Sequence, residues 1–279
     1  MRCLPGLRNA GIEPQILRTA DRGQATELAA AGGAGRTVIA VGGDGTANEV
    51  INGLMELPGK PPETIFGALM SGTGSDLARS LPVPRSPGDV VRWLRSDRTR
   101  LIDLGCFRGK EGSRFFINAA DVGIGAEVVR RQEDMPRKLG SASFLLASLI
   151  SLARYRSRPL SIALDGRNPR AVKAWTVAIA NGSCFGGGMK IAPAAKLDDG
   201  LLDVVTVGSL GRLKAVVCLP LLYAGHHDRL SEVRIEKAGL VLIDSPMTLE
   251  VETDGELAGF TPATFEILPR ALQVIDWER

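Results

Sequence analysis

Apolar residues in the first hundred positions fall into short unbroken runs separated by helix-spaced stretches. Residues 37–41 and 64–70 are runs of the kind carried by strands that are covered on both faces. Residues 14–19 also read as a strand. Between them, residues 24–31 predict an Ala-rich helix, and residues 47–55 a helix with Val50, Ile51 and Leu54 on one face. A short helix ends at Ser80, and another runs from Ser86 to about Ser96, with Ser86 as N-cap and Pro87 in the first turn. Strands alternating with helices predict a mostly parallel sheet covered by helices.

After about Arg100 the pattern changes. Residues 101–107, 114–118, 160–164, 174–180, 202–207, 232–236, 247–252 and 263–267 read as strands separated by Gly, Asp and Pro turns. Helical spacing interrupts them at residues 123–132, 141–154 and 210–222. Many short strands of this kind predict a β-sandwich. The expected fold is therefore an α/β domain over residues 1–101 followed by a β-sandwich domain over residues 102–279.

Composition narrows the class only modestly. The chain has 279 residues, 44% hydrophobic and 23% charged, as a globular protein does. A net charge of +3 does not call for nucleic acid as a partner. Arginines and lysines do cluster, at Arg92, Arg95, Arg98 and Arg100, at Arg130, Arg131, Arg137 and Lys138, and at Arg154, Arg156 and Arg158. These read as solvated faces or, at a lipid surface, as contacts with anionic headgroups. Cys3, Cys106, Cys184 and Cys218 form no CxxC pair, which leaves zinc and redox motifs unsupported and fits free thiols in a reducing cytosol. No secretory signal is legible, and the strongest apolar stretch, residues 144–153, is shorter than the ~20 residues needed to span a bilayer.

The chemistry concentrates in Gly42-Gly43-Asp44-Gly45-Thr46, which follows one strand and opens a helix. Unpaired N–H groups and the helix dipole make such a turn an anion site, and glycine allows close approach of a phosphate. Asp44 would repel that phosphate unless it binds a cation or a donor, which suggests a nucleotide phosphate with Mg²⁺ nearby. A second cluster, Ser71-Gly72-Thr73-Gly74-Ser75-Asp76, again follows a strand and precedes a helix. Two such turns at adjacent strand ends would share one crevice.

Gly-Gly-Asp-Gly-Thr followed by Asn48-Glu49-Val50-Ile51-Asn52-Gly53-Leu54 resembles the signature of the diacylglycerol kinase catalytic-domain family, which includes bacterial soluble lipid kinases and the sphingosine and ceramide kinases. The core Gly-Gly-Asp-Gly is also shared with NAD kinases and phosphofructokinases. The second cluster is similar to the family's Gly-Thr-Gly-Asn-Asp, with Ser75 standing where the Asn is usual. Asn118, Gly123-Ile124-Gly125, Asn181-Gly182-Ser183 and the segment 191–204 fit the same pattern. The resemblance runs from about residue 14 to 274. It departs at the front, where residues 1–7 read as lying inside the family's first helix, so the preceding strand and its Asn-Pro-x-x-Gly-like turn are expected to be absent. A closing helix after Trp277 is expected to be absent as well.

The resemblance implies a set of roles. Gly42, Gly43, Gly45, Thr46, Glu49, Gly72, Thr73, Gly74 and Glu256 would serve the nucleotide, and Asp44 would organise metal and phosphate. Asp199 with the carbonyl of Leu201 would hold a structural Mg²⁺, with Lys196 close by. Asp254, in Val251-Glu252-Thr253-Asp254-Gly255-Glu256, would be the general base on a lipid hydroxyl. Read without the resemblance, Asp199-Gly200 and Asp254-Gly255 are simply turns. The expected cofactors are ATP and Mg²⁺. The expected partner is a membrane lipid met peripherally from the cytoplasm, at the inner face of the membrane; no nucleic acid is expected, and a homodimer is left open. The implied activity is ATP-dependent phosphorylation of a lipid hydroxyl, first of all diacylglycerol to phosphatidic acid, in a cleft between the domains. The rivals are an NAD kinase-like phosphotransferase, which would need a Gly-Ser-Thr-Ala-Tyr-like segment not found here, and a non-catalytic lipid- or nucleotide-binding protein.

Overall fold

The computed structural model describes residues 4–56, 64–70, 75–81, 83–84, 87–95, 98–136 and 142–276. The chain divides into two compact units, one of residues 1–102 with 270–279 and the other of residues 103–269.

The first unit contains α1 (Leu4–Asn9), α2 (Gln24–Gly32), β1 (Thr37–Gly42), α3 (Asp44–Met55), β2 (Ile65–Met70), α4 (Leu77–Ser80) and α5 (Pro87–Leu94), with the beginning of β3 (Thr99–Gly109). β1 and β2 pair in parallel from Thr37↔Ile65 to Gly42↔Met70, so both strands end at the same level. The end of the chain's final strand joins the same sheet, pairing Gln273↔Ile65 and Val274↔Phe66 in parallel. A cut at 101/102 leaves residues 270–279 with the second domain; this pairing groups them with the first. Ile51, Leu54, Phe66 and Trp93 fill the core of the unit.

Close packing in this unit depends on glycines. A Cβ at Gly67 would lie 2.3 Å from the Trp93 ring, and one at Gly53 would lie 2.2 Å from the Thr26 carbonyl oxygen of α2. Glu49 ties the same two helices, with its Oε2 accepting from the Ala25 N–H at 3.2 Å and its carbonyl from the Thr26 hydroxyl at 3.0 Å. The strand expected at residues 14–19 does not form. Ile16 and Leu17 stand 47% and 55% exposed, and β1 takes its ladder partner from β2, leaving this segment no ladder among the described residues.

The second unit holds the rest of β3, then β4 (Gly112–Phe116), β5 (Ala119–Gly123), α6 (Ile124–Glu133), α7 (Ala142–Arg154), β6 (Arg158–Leu164), β7 (Arg170–Ala180), β8 (Leu202–Gly208), α8 (Arg212–Ala224), β9 (Val233–Ala238), β10 (Leu240–Asp244), β11 (Glu250–Thr253), β12 (Glu256–Phe260) and the first part of β13 (Ala263–Ile275). Its ladders are antiparallel. β7 is the trunk, pairing β6 through its first half and lying between β5 and β8 through its second. Val177 and Ile179 turn into a core with Phe107, Phe116, Val204, Val251 and Phe265. The intervening Ala178 and Ala180 turn to the other face, against Ile191, Ala192 and Val205. Period-two alternation with both faces covered explains why this stretch is apolar throughout.

β5, β10 and β12 had no counterpart in the sequence reading. β5 is short and carries an aspartate, and β12 contains Gly259 at φ 155. Both look like turns until their neighbours supply the ladder. The helices and remaining strands lie close to their predicted spans, except that α3 begins at Asp44, β7 at Arg170 and β11 at Glu250, and β13 is 13 residues long.

The packing of α2 on α3 generates a test. Alanine favours a helix over glycine by ~1 kcal/mol, but overpacking costs about 1–3 kcal/mol, and a Gly53→Ala methyl must displace backbone. The expected outcome is a lower chemical-denaturation midpoint for Gly53→Ala. Gly211→Ala, where φ is −66° and a Cβ meets nothing within 4 Å, is expected to match the parent.

Candidate active site

β1 ends at Gly42, and Gly43 is the N-cap of α3 with φ −91° and ψ −175°, a conformation open to any residue. Gly43 offers no side chain to cap this helix. A Cβ at Gly43 would meet nothing within 4 Å among the described residues. At Gly42 a Cβ would lie 2.6 Å from Thr46 Oγ1, and only glycine lets Thr46 lean on the strand end. Gly45 lies in the first turn of α3. An uncapped helix N-terminus faced by glycine is chemically suited to phosphate.

Asp44 is the first residue of that helix. Its Oδ1 accepts from Ser75 Oγ at 2.7 Å and from the Leu77 N–H at 3.1 Å, while Oδ2 accepts from the Asp76 N–H at 3.2 Å. Ser75 Oγ in turn accepts from the Ala78 N–H at 3.1 Å. Asp44 and Ser75 therefore cap α4 together, and the serine that replaces the usual asparagine has a defined task. The charge of Asp44 is held by three donors from the following βα turn. Both turns sit at the same end of the sheet, because Gly42 and Met70 are paired. Gly72, Thr73 and Gly74 lie outside the described residues.

Asp254 and Gly255 form a two-residue hairpin between the paired Thr253 and Glu256, with φ 47° and 85° as the tight primed turn requires. The Asp254 carboxylate accepts from the backbone N–H groups of Ile117 at 2.8 Å, Asn118 at 2.9 Å and Ala119 at 3.1 Å. It anchors the β4–β5 connection to the hairpin. Asn181 adds a second tie, donating to the Asp103 and Ile117 carbonyls. Glu256, expected at the nucleotide, is in an ion pair with Arg114.

The 196–203 loop was expected to hold Mg²⁺. Asp199 Oδ1 accepts from the Leu201 N–H at 3.1 Å, and its Oδ2 lies 2.5 Å from Lys237 Nζ. The bond to Asp199 pushes the Lys237 ammonium above its ordinary range. Lys196 is exposed on the loop. Among the described residues no group of three His, Cys, Asp or Glu is placed to hold a metal. A hard cation wants six or more oxygens, so one carboxylate already engaged by an ammonium does not fit it.

Sequence reasoning missed Asp121. It is fully buried in β5, with Oδ1 accepting from the Ala126 N–H at 3.2 Å and Oδ2 from the Thr176 hydroxyl. A Cβ at Gly125 would lie 2.6 Å from Oδ1, which gives Gly123-Ile124-Gly125 a packing reason. Burial raises Asp121 to about 7 against the opposing pull of the Ala126 and Gly125 N–H groups. Tyr155 is pushed up, first by burial and then by the Asp121 charge. The one available signal was an acid within an apolar run.

A helix terminus suited to phosphate on a parallel sheet, carried in one chain with an antiparallel β-sandwich-like unit, is the architecture expected of a two-domain phosphotransferase. Comparison with known proteins agrees. The diacylglycerol kinase catalytic domain matches residues 1–107, and the YegS C-terminal NAD kinase beta sandwich-like domain matches residues 118–276. A diacylglycerol kinase of Mycobacterium tuberculosis is 31% identical over 273 residues, covering 96% of this chain and 86% of the relative. One of Staphylococcus haemolyticus is 30% identical over 275 residues, covering 96% and 80%. A solved diacylglycerol kinase from Bacillus anthracis shares the fold at TM-score 0.72 and 23% identity, covering 98% of this chain and 88% of that one. An NAD kinase from Archaeoglobus fulgidus in complex with ATP does so at 0.55 and 12%, covering 99% and 88%. The chain belongs to the diacylglycerol kinase family, and is a kinase of the lipid kinase class.

Two outcomes are expected here. Asp44→Ala removes the acceptor for three donors, so amide exchange at Asp76 and Leu77 should quicken and stability should fall by about 1–3 kcal/mol. Asp121, raised from 3.8 to about 7, favours the fold when neutral. Its contribution is fully present below about pH 4 and is lost as pH rises through about 7. The parent should therefore lose stability relative to Asp121→Asn across that window, at up to ~1.4 kcal/mol per pH unit. Identical pH slopes in denaturant titrations would remove Asp121 from this account.

Proposed function

We propose that this protein transfers a phosphoryl group from ATP to a lipid hydroxyl, with diacylglycerol as the first candidate acceptor. The observation that carries the reading is the N-terminus of α3 at Gly43, which has no side chain to cap it and whose Cβ position is open among the described residues, inside the segment that matches the kinase catalytic domain. ATP, when bound, supplies the phosphoryl group; the backbone N–H groups of the first turn of α3, with Gly42, Gly43, Gly45 and Thr46, would hold its phosphates. Gly72, Thr73 and Gly74 are assigned to the same task by family resemblance. Asp44 keeps the second turn in position, with its charge satisfied by Ser75, Asp76 and Leu77. Glu49 and Glu256 act through α2 and Arg114, as positioning groups. Phosphoryl transfer asks mainly for positioning and charge stabilisation, and Asp254 is proposed to take the proton of the attacking hydroxyl. No step is assigned to Mg²⁺.

Contact with a lipid surface is supported by α7 and α8. Neither helix has an acidic residue, and Leu145, Leu146, Leu149, Val216 and Val217 are exposed on them. No helix among the described residues is long and apolar enough to cross a membrane, which suits peripheral contact. Arg130 and Arg131, by contrast, pair with Glu250 and Glu127.

The test measures phosphate transfer from ATP to diacylglycerol, sphingosine and ceramide in anionic vesicles, and to soluble NAD because an NAD kinase shares the fold. Phosphatidic acid is the expected product; transfer to none of these acceptors would overturn the proposal in favour of a binding protein. Gly43→Ala should keep the parent's melting temperature and raise the KM for ATP by about tenfold or more, the equivalent of ~1.4 kcal/mol of phosphate contact. Asp254→Asn should lower kcat by roughly 10²–10⁴-fold with the KM for ATP unchanged. Its melting temperature is read alongside, since an amide meets backbone donors there. Near-parental turnover would leave Asp254 as a hairpin anchor only.

A further inference from the structure

Three aspartates lie on, or bond to, the segment that leads into β8. Asp103 is buried on β3 and its Oδ2 accepts from the Gly200 N–H at 2.7 Å. Asp199 precedes Gly200, which takes φ 71° in the turn. Asp203 is buried on β8, with an Oδ2 that no hydrogen bond reaches. Such a cluster needs positive charge, because a buried carboxylate beside another is costly to leave uncompensated. Among the described residues no group of three His, Cys, Asp or Glu side chains is placed to hold a metal ion here.

The positive charge comes from β9. Lys237 is the cross-strand partner of Asp203 in the β8–β9 ladder, which puts both side chains on one face. Its Nζ lies 2.5 Å from Asp199 Oδ2 and 3.5 Å from Asp203 Oδ2. One ammonium therefore bridges the loop carboxylate to the strand carboxylate.

The geometry points to Lys237 as a built-in cation that holds the 199–203 turn in place of the divalent ion implied by family resemblance, so that this unit folds and keeps its loop without Mg²⁺. The inference does not depend on which acceptor is phosphorylated.

Thermal melting without nucleotide tests it, in EDTA and in millimolar MgCl₂ at matched ionic strength. The parent is expected to melt at the same temperature in both. Lys237→Met should melt roughly 2–6 °C lower in EDTA and recover part of that loss in MgCl₂, as the uncovered carboxylates take up the ion. Lys237→Arg, which keeps the charge, should melt near the parent and ignore MgCl₂, and it serves if the methionine variant does not fold. A Mg²⁺-dependent rise in the parent's melting temperature that disappears in Asp199→Asn would overturn the proposal. So would a Lys237→Met protein as stable as the parent in EDTA.

Discussion

The carboxylate of Asp44 sits at the N-terminus of the helix proposed to receive a phosphate, and the first unit depends on how its charge is satisfied. Left alone it would repel the anion that the turn is shaped to hold. The Ser75 hydroxyl and the amides of Asp76 and Leu77 take that charge instead. The bonds work in both directions, since they also start α4 and lock the second βα turn to the first. The proposed phosphate site and the fold around it would thus be stabilised by the same three donors.

The second unit repeats the device with different donors. Asp254 is held by three consecutive backbone amides, Asp121 by a hydroxyl and the first turn of α6, and Asp199 by an amide and Lys237. Asp254 and Asp199, which look like a catalyst and a ligand in the sequence, thus have structural tasks, as does Asp121, which the sequence did not single out. A substitution there changes chemistry and fold together, and only measurements that separate the two can assign a role. Gly43 is the exception: its added methyl would meet open space among the described residues, so a substitution there separates the proposed phosphate contact from the fold.

Strand–helix alternation, the Gly-Gly-Asp-Gly-Thr turn and the run of short strands after residue 100 were legible in the sequence because they rest on local rules. Hydrophobic period marks a strand or a helix, and glycine marks a turn that opens a helix. Those signals, with the family resemblance, sufficed for the fold class and the kinase assignment. Local rules also misled at residues 14–19, which have no ladder partner among the described residues, and they passed over the apolar β10 and over β5 and β12, whose small or polar residues become strands only beside the right neighbours.

By itself, then, the sequence determined the α/β unit with its phosphate-ready turn, the β-rich unit that follows, and the residue types from which a site could be built. Only the tertiary structure decided what those residues are bonded to. That Asp44 would meet Ser75, that Asp254 would meet the amides of residues 117–119, and that Lys237 would bridge Asp199 and Asp203 depends on strand register and helix packing between distant segments. Hydrogen bonds and ion pairs act over a few ångströms, and positions 31 to 137 residues apart in the chain come within that range only once the sheets are formed.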